Sequence, residues 1–149
     1  MLVFAKLIVV LSGMMVGSAL FASTSYVEAL QCHSRFVEDF GEANAALLCR
    51  GVESRNATAV YNCVSEGKAR TDDGKAIAML CQGIDYRITT ATLNCFDQMV
   101  DDMPAVDAAS LCQRTDYRAF TAKLNCLSAA SESMSPSAGA KLCGGLSGQ

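Results

Sequence analysis

The 149-residue chain has no tryptophan, a single histidine and only 7% aromatic residues. Large rings bury the most surface per residue, so a core poor in them must rest on aliphatic side chains and alanine. One histidine leaves little from which to build a zinc site, and no cysteine pair has the short CxxC spacing such sites use. Basic residues are in deficit, 12 against 15 acidic ones. A nucleic-acid binder wants a basic stripe, so nucleic acid is not expected as a partner. The chain also lacks a serine-nucleophile motif, a phosphate loop and a dinucleotide fingerprint.

What is present begins with an export signal. Lys6 precedes an apolar run from Leu7 to Phe21, and Ala22 follows Leu20 at a position suited to signal peptidase. The run has 15 residues, short for a spanning helix. Residues 1–22 therefore read as a signal peptide, with an uncleaved membrane anchor as the alternative. No cysteine stands at the boundary for a lipid anchor. The expected mature chain, 23–149, loses one basic residue and carries 11 basic against 15 acidic ones, a net charge of −4. Its length suits one domain with a modest core. Stable membrane insertion is not expected once the signal is removed.

All eight cysteines lie beyond the signal, at positions 32, 49, 63, 81, 95, 112, 126 and 143. An even count behind an export signal implies an oxidising compartment, periplasmic or secreted, and four disulfides. The intervals between them hold 16, 13, 17, 13, 16, 13 and 16 residues, so alternate cysteines recur every 31 or 32 positions. Four repeats follow, at about 23–53, 54–84, 85–115 and 116–149. The duplication is most visible in "DYRITTATLNC" at Asp85 to Cys95 and "DYRAFTAKLNC" at Asp116 to Cys126. Each second cysteine (Cys49, Cys81, Cys112, Cys143) follows a leucine: Leu48, Leu80, Leu111, Leu142. Three residues before each stands an alanine: Ala46, Ala78, Ala109, Ala140.

Within a unit the period is helical. Around a first cysteine, Leu93 and Phe96 lie on one side of a helix. Ala91 and Cys95 lie nearly opposite, at about 100° per residue. A helix apolar on two sides is sandwiched between neighbours, as in an α-solenoid or tight bundle. Gly51, Gly83 and Gly145 lie two residues past a second cysteine, where a left-handed helix stop belongs; Arg114 breaks this column. Pro104 and Ser135–Pro136 suit the start of a shorter second helix, and Asp85 and Asp116 the cap of a longer first one. Each unit reads as a helix of about four turns, a loop, and a helix of about three turns. The fold class expected is all-α: four disulfide-stapled helical hairpins forming a short α-solenoid or a compact helical bundle.

Two cysteines of a helical hairpin meet when they sit equally far from its turn. Cys63 and Cys81 are each nine residues from position 72, in a polar loop. Cys49 and Cys63 fail this test, because their turn near Gly51 to Ser54 is much closer to Cys49. At about 1.5 Å per residue the offset exceeds the reach of a disulfide. Pairing across the short intervals would also strand Cys32 and Cys143. The expected bridges are Cys32–Cys49, Cys63–Cys81, Cys95–Cys112 and Cys126–Cys143. Each closes a loop of roughly 18 residues, worth about 3 kcal/mol in the chain-entropy model. In general plan, with disulfides stapling helical hairpins, the chain resembles secreted cysteine-rich helical-repeat proteins of the Sel1-like kind. The resemblance implies an architecture and transfers no functional residue.

Few residues escape this constructional account. Arg55, Arg87 and Arg118 recur with the repeat, each two residues after an acid (Glu53, Asp85, Asp116), with Tyr86 and Tyr117 between in two units. Stacked units would line these side chains along one edge, a candidate contact surface for a carboxylate, a phosphate or a protein. The alternative is local: each acid caps its helix and pairs with its own arginine. His33 replaces Val64, Phe96 and Leu127 of the other units and fits an end unit that lacks a neighbour on one side. Asp72–Asp73 and Asp101–Asp102, with Asp97 and Asp107 nearby, lack the ligand pattern of a calcium loop and read as solvated linkers. Asn56–Thr58 matches a glycosylation acceptor. No cofactor, metal or catalytic residue is expected. The function expected is that of an exported, non-catalytic binding or protein-interaction module, with an unknown protein or an anionic ligand as partner. A structural or protease-resistant envelope or inhibitor protein is the alternative, and a small secreted hydrolase a third.

Overall fold

The computed structural model describes residues 19–146, with side chains from Tyr26 onward. The expected signal peptide therefore lies outside the described residues, apart from its last four positions. Among the described residues there are eight helices and no strand: α1 Ala19–Phe40, α2 Glu42–Cys49, α3 Ser54–Lys68, α4 Gly74–Cys81, α5 Thr89–Met99, α6 Ala105–Cys112, α7 Tyr117–Ala130 and α8 Pro136–Cys143. None of the described helices is long and apolar enough to cross a membrane.

The helices pair in sequence as hairpins: α1 with α2, α3 with α4, α5 with α6, α7 with α8. The short helices form one row, α2 against α4 against α6 against α8, and the long helices a second row, α1 against α3 against α5 against α7. This two-row stack is how identical units bury the two apolar sides that each helix carries. One disulfide spans the rows in each unit: Cys32–Cys49, Cys63–Cys81, Cys95–Cys112 and Cys126–Cys143. Their Cα atoms are 5.6–5.8 Å apart, the usual separation for a bridge. The rest of the core is aliphatic, with Leu48, Val60, Ile77, Leu80, Ile84, Leu93 and Leu111 fully buried and Phe96 its one fully buried ring.

The short helices all have eight residues, so they make little more than two turns, not the three the spacing predicts. Asp73 and Ser135 explain where α4 and α8 begin. Asp73 accepts hydrogen bonds from the backbone N–H groups of Lys75 and Ala76 at 2.9 and 3.0 Å, and Ser135 Oγ accepts one from Ala138 at 3.3 Å. Asp73 is thus a helix cap, which absorbs one of the loop carboxylates.

The twin "DYR" phrases diverge. Asp116 caps α7 directly, its carboxylate accepting from Ala119 N at 2.7 Å. Asp85 does not cap α5; its side chain accepts from Arg87 N at 2.7 Å, and a turn over residues 86–88 precedes the helix, which starts at Thr89. The residues that follow account for the difference. Thr89 Oγ1 donates to Asp85 O at 2.7 Å, a local bond that favours a turn over residues 86–88 before the helix opens. At the same offset after Asp116 stands Phe120.

The left-handed stop also departs from the residue pattern. Gly51 (φ 75°) and Gly83 (φ 60°) take it, and so does Arg114 at φ 52°. The column is broken in sequence but continuous in backbone. Gly145 does not adopt it.

Candidate contact groove between the second and third units

Arg55, in the first turn of α3, and the Asp85–Arg87 turn before α5 come together at the seam of the second and third units. With Asn56 and Gly83 they line an open groove of about 420 Å³. Arg55 Nε pairs with Glu53 at 2.8 Å, and its side chain is otherwise in solvent. Arg87 Nε donates to Tyr86 Oη at 3.2 Å, and its guanidinium lies 5.6 Å from the Tyr86 ring centroid. The Tyr86 hydroxyl, with Asp85 beside it, raises the Arg87 pKa further above its already high ordinary value. Tyr86 is 72% exposed, as Tyr117 is at 61%, with only the Arg87 guanidinium over its ring.

The local expectation is met unevenly: Glu53 pairs with its own Arg55, Asp116 caps α7, and Asp85 accepts from Arg87 N in the turn ahead of α5 without capping it. Arg55, Tyr86 and Arg87 are nevertheless brought to one groove. Tyr117 and Arg118 are exposed in the first turn of α7 and do not line it. The groove is accordingly shorter than the sequence column. Asn56 belongs to the helix start, its Oδ1 accepting from Glu53 N at 2.8 Å and its Nδ2 donating to Gly51 O at 3.4 Å.

The remaining candidates fall to construction. His33 is partly buried, as is Leu127 at the same offset in the last unit, whereas Val64 and Phe96 of the middle units are buried. Asp97 pairs with Arg70 of the preceding unit at 2.6 Å, and Asp39 with Lys68 of the following one at 2.5 Å, so these charges join adjacent units. Asp101 and Asp102 are exposed. Among the described residues no group of three or more His, Cys, Asp or Glu side chains is placed to hold a metal ion.

Two features escape the sequence reading. A smaller groove of about 230 Å³ lies between the first and second units, where the Arg35 guanidinium sits 4.8 Å from the Tyr61 ring centroid. Lys123 is buried on α7, with its ammonium donating to Leu111 O at 2.6 Å, to Thr115 Oγ1 at 2.8 Å and to Gln113 O at 3.4 Å. A cation at the carboxyl end of α6 satisfies carbonyls that the helix leaves free. Thr115 is bound in turn by Thr92: its N–H donates to Thr92 Oγ1, and Thr92 Oγ1 donates to its carbonyl, both at 3.2 Å. Burial lowers the Lys123 pKa, partly offset by Asp116. The signal was available: Lys123 occupies the offset filled by Val60 and Thr92, a buried column in which a charge must find partners.

The chain matches no protein-family model, and neither a curated protein nor a solved structure resembles it at a significant level.

Proposed function

We propose that this protein is an exported, non-catalytic binding module that engages a protein or an anionic ligand through the Arg55–Tyr86–Arg87 groove. The observation that carries the reading is the convergence of two exposed guanidinium groups and one exposed tyrosine from different units on a single groove. Arg and Tyr are the residue types that dominate binding hot spots, and a guanidinium presents a fork to carboxylate or phosphate. The groove's side chains are binding groups; Asp85 is already committed to its turn, and no Ser, Cys or His lines the groove to serve as a nucleophile or base. Four disulfides are consistent with an extracytoplasmic location, here taken as periplasmic or secreted. Neither nucleic acid nor a bilayer is proposed as the partner. Those same disulfides favour the second reading, a protease-resistant structural or inhibitory protein.

The test is capture of extracytoplasmic proteins from the source cells by the immobilised native protein, by the Arg55→Ala/Arg87→Ala variant and by Arg118→Ala. The proposal expects a partner retained by the native protein and Arg118→Ala but lost by the double variant, with melting temperatures unchanged. Equal retention by all three removes the groove from the function.

A further inference from the structure

The first and last described units expose apolar residues at columns that are buried inside the stack. The leucine before each second cysteine is at most 1% exposed in the first three units, yet Leu142 in the last is 63% exposed. The alanine two residues earlier behaves in the opposite sense. Ala78, Ala109 and Ala140 are fully buried, and only Ala46, in the first unit, is exposed. The leucine is exposed only in the last described unit, and the alanine only in the first. Leucine therefore faces the next unit and alanine the previous one. A third column agrees: Val52, Ile84 and Thr115 are buried, and Leu146 is 41% exposed. In the row of long helices Leu30 is 67% exposed, whereas its counterpart Leu93 is 2% exposed.

We infer that the two ends are complementary halves of one interface, and that the carboxyl-terminal face around Leu142 takes the amino-terminal face around Ala46 and Leu30 of a second copy. The occupant is defined by continuity. The seams α2–α4, α4–α6 and α6–α8 already join these columns three times within the chain, and the joint between copies is a fourth seam of the same kind. Helical-repeat stacks that stay monomeric need terminal units with polar outer faces, and Leu142 and Leu30 stand where such a face would be. Because the two halves differ, the joint is head-to-tail and does not close on itself, so it makes chains of copies and not a two-fold dimer. It lies at the ends of the stack and leaves the groove at the second seam free.

Sedimentation of the oxidised, exported protein tests this, from micromolar to ~1 mM, the concentration scale at which tethered neighbours meet. The expected mass rises with concentration and passes the dimer without a plateau. Leu142→Glu and Ala46→Glu, both at exposed positions, are expected to fold with unchanged circular dichroism and to associate at least about tenfold more weakly. Mixed together they restore one intact joint and form a dimer that grows no further. A monomeric mass at every concentration overturns the inference. So does a dimer that Ala46→Glu leaves intact, or a mixture of the two variants that stays monomeric.

Discussion

Gln113 Nε2 donates a hydrogen bond to Gln82 Oε1 at 3.1 Å, and the two residues lie 31 positions apart, each directly after the second cysteine of its unit. One column of the repeat thus bonds to itself across the seam of the second and third units. The column reads Arg50, Gln82, Gln113, Gly144, so only the central pair carries amides on both sides. A double-mutant cycle of Gln82→Ala and Gln113→Ala, followed by urea unfolding, is expected to give a coupling of about 0.5–1.5 kcal/mol. Strict additivity of the two substitutions contradicts the contact.

Gly83 tests the turn that leads from one unit to the next. Its positive φ disfavours any side chain, while the exposed Arg114 guanidinium tip that lies over it can swing aside. Gly83→Ala is expected to cost about 1–2 kcal/mol in chemical denaturation. Arg114→Gly removes the same strain from the next unit, and its melting temperature should not fall. A loss of stability comparable to that of Gly83→Ala would show that the Arg114 side chain, and not its backbone, matters.

Lys123 makes stability depend on alkaline pH. Its pKa in the folded chain is lowered, chiefly by burial, below the ordinary value of 10.5. Between the lowered value and 10.5 the unfolded chain therefore binds more protons than the folded one, and stability from this group rises with pH. Comparing the native protein with Lys123→Met cancels the other titrations. The difference in unfolding free energy is expected to shift in favour of the native protein as pH rises through that window, and a difference independent of pH rejects the account. Lys123→Ala, which leaves Leu111 O and Thr115 without their donor, is expected to cost more than about 2 kcal/mol.

The groove's electrostatics give a separate prediction. Arg55 and Arg87 are exposed, so their attraction for an anionic partner is screened over about 8–10 Å at ordinary salt. Retention of the captured partner should weaken as salt is raised from 50 to 500 mM, and the Arg55→Ala/Arg87→Ala variant should lose most of that dependence. A partner held equally at all salt concentrations would be recognised through Tyr86 and shape instead.

Much of the architecture was legible because the repeat restates it. The distance of Cys63 and Cys81 from their common turn identifies the hairpin, and the Ala–x–Leu–Cys columns mark the seams. What the columns could not convey depends on neighbours outside them. Asp85 and Asp116 open identical tripeptides, yet the first lies in a turn held by the Thr89–Asp85 bond and the second caps a helix directly. Arg114 hides a conserved backbone geometry behind a different residue. Arg118 shares the arginine column but falls outside the groove, because a side chain's period does not decide which turn it reaches over. Lys123 was readable only as a charge in a buried column, and its partners Leu111, Gln113 and Thr115 come from the preceding unit.

The fold rests on one construction, a hairpin closed by its own disulfide and stacked on its copy. Peptide mapping of a non-reduced digest by mass spectrometry tests it most directly. It is expected to recover Cys32 joined to Cys49, Cys63 to Cys81, Cys95 to Cys112 and Cys126 to Cys143, and no free thiol. A peptide joining Cys49 to Cys63, or Cys81 to Cys95, would place the bridges between units and contradict the hairpin, its seams and the groove built upon them.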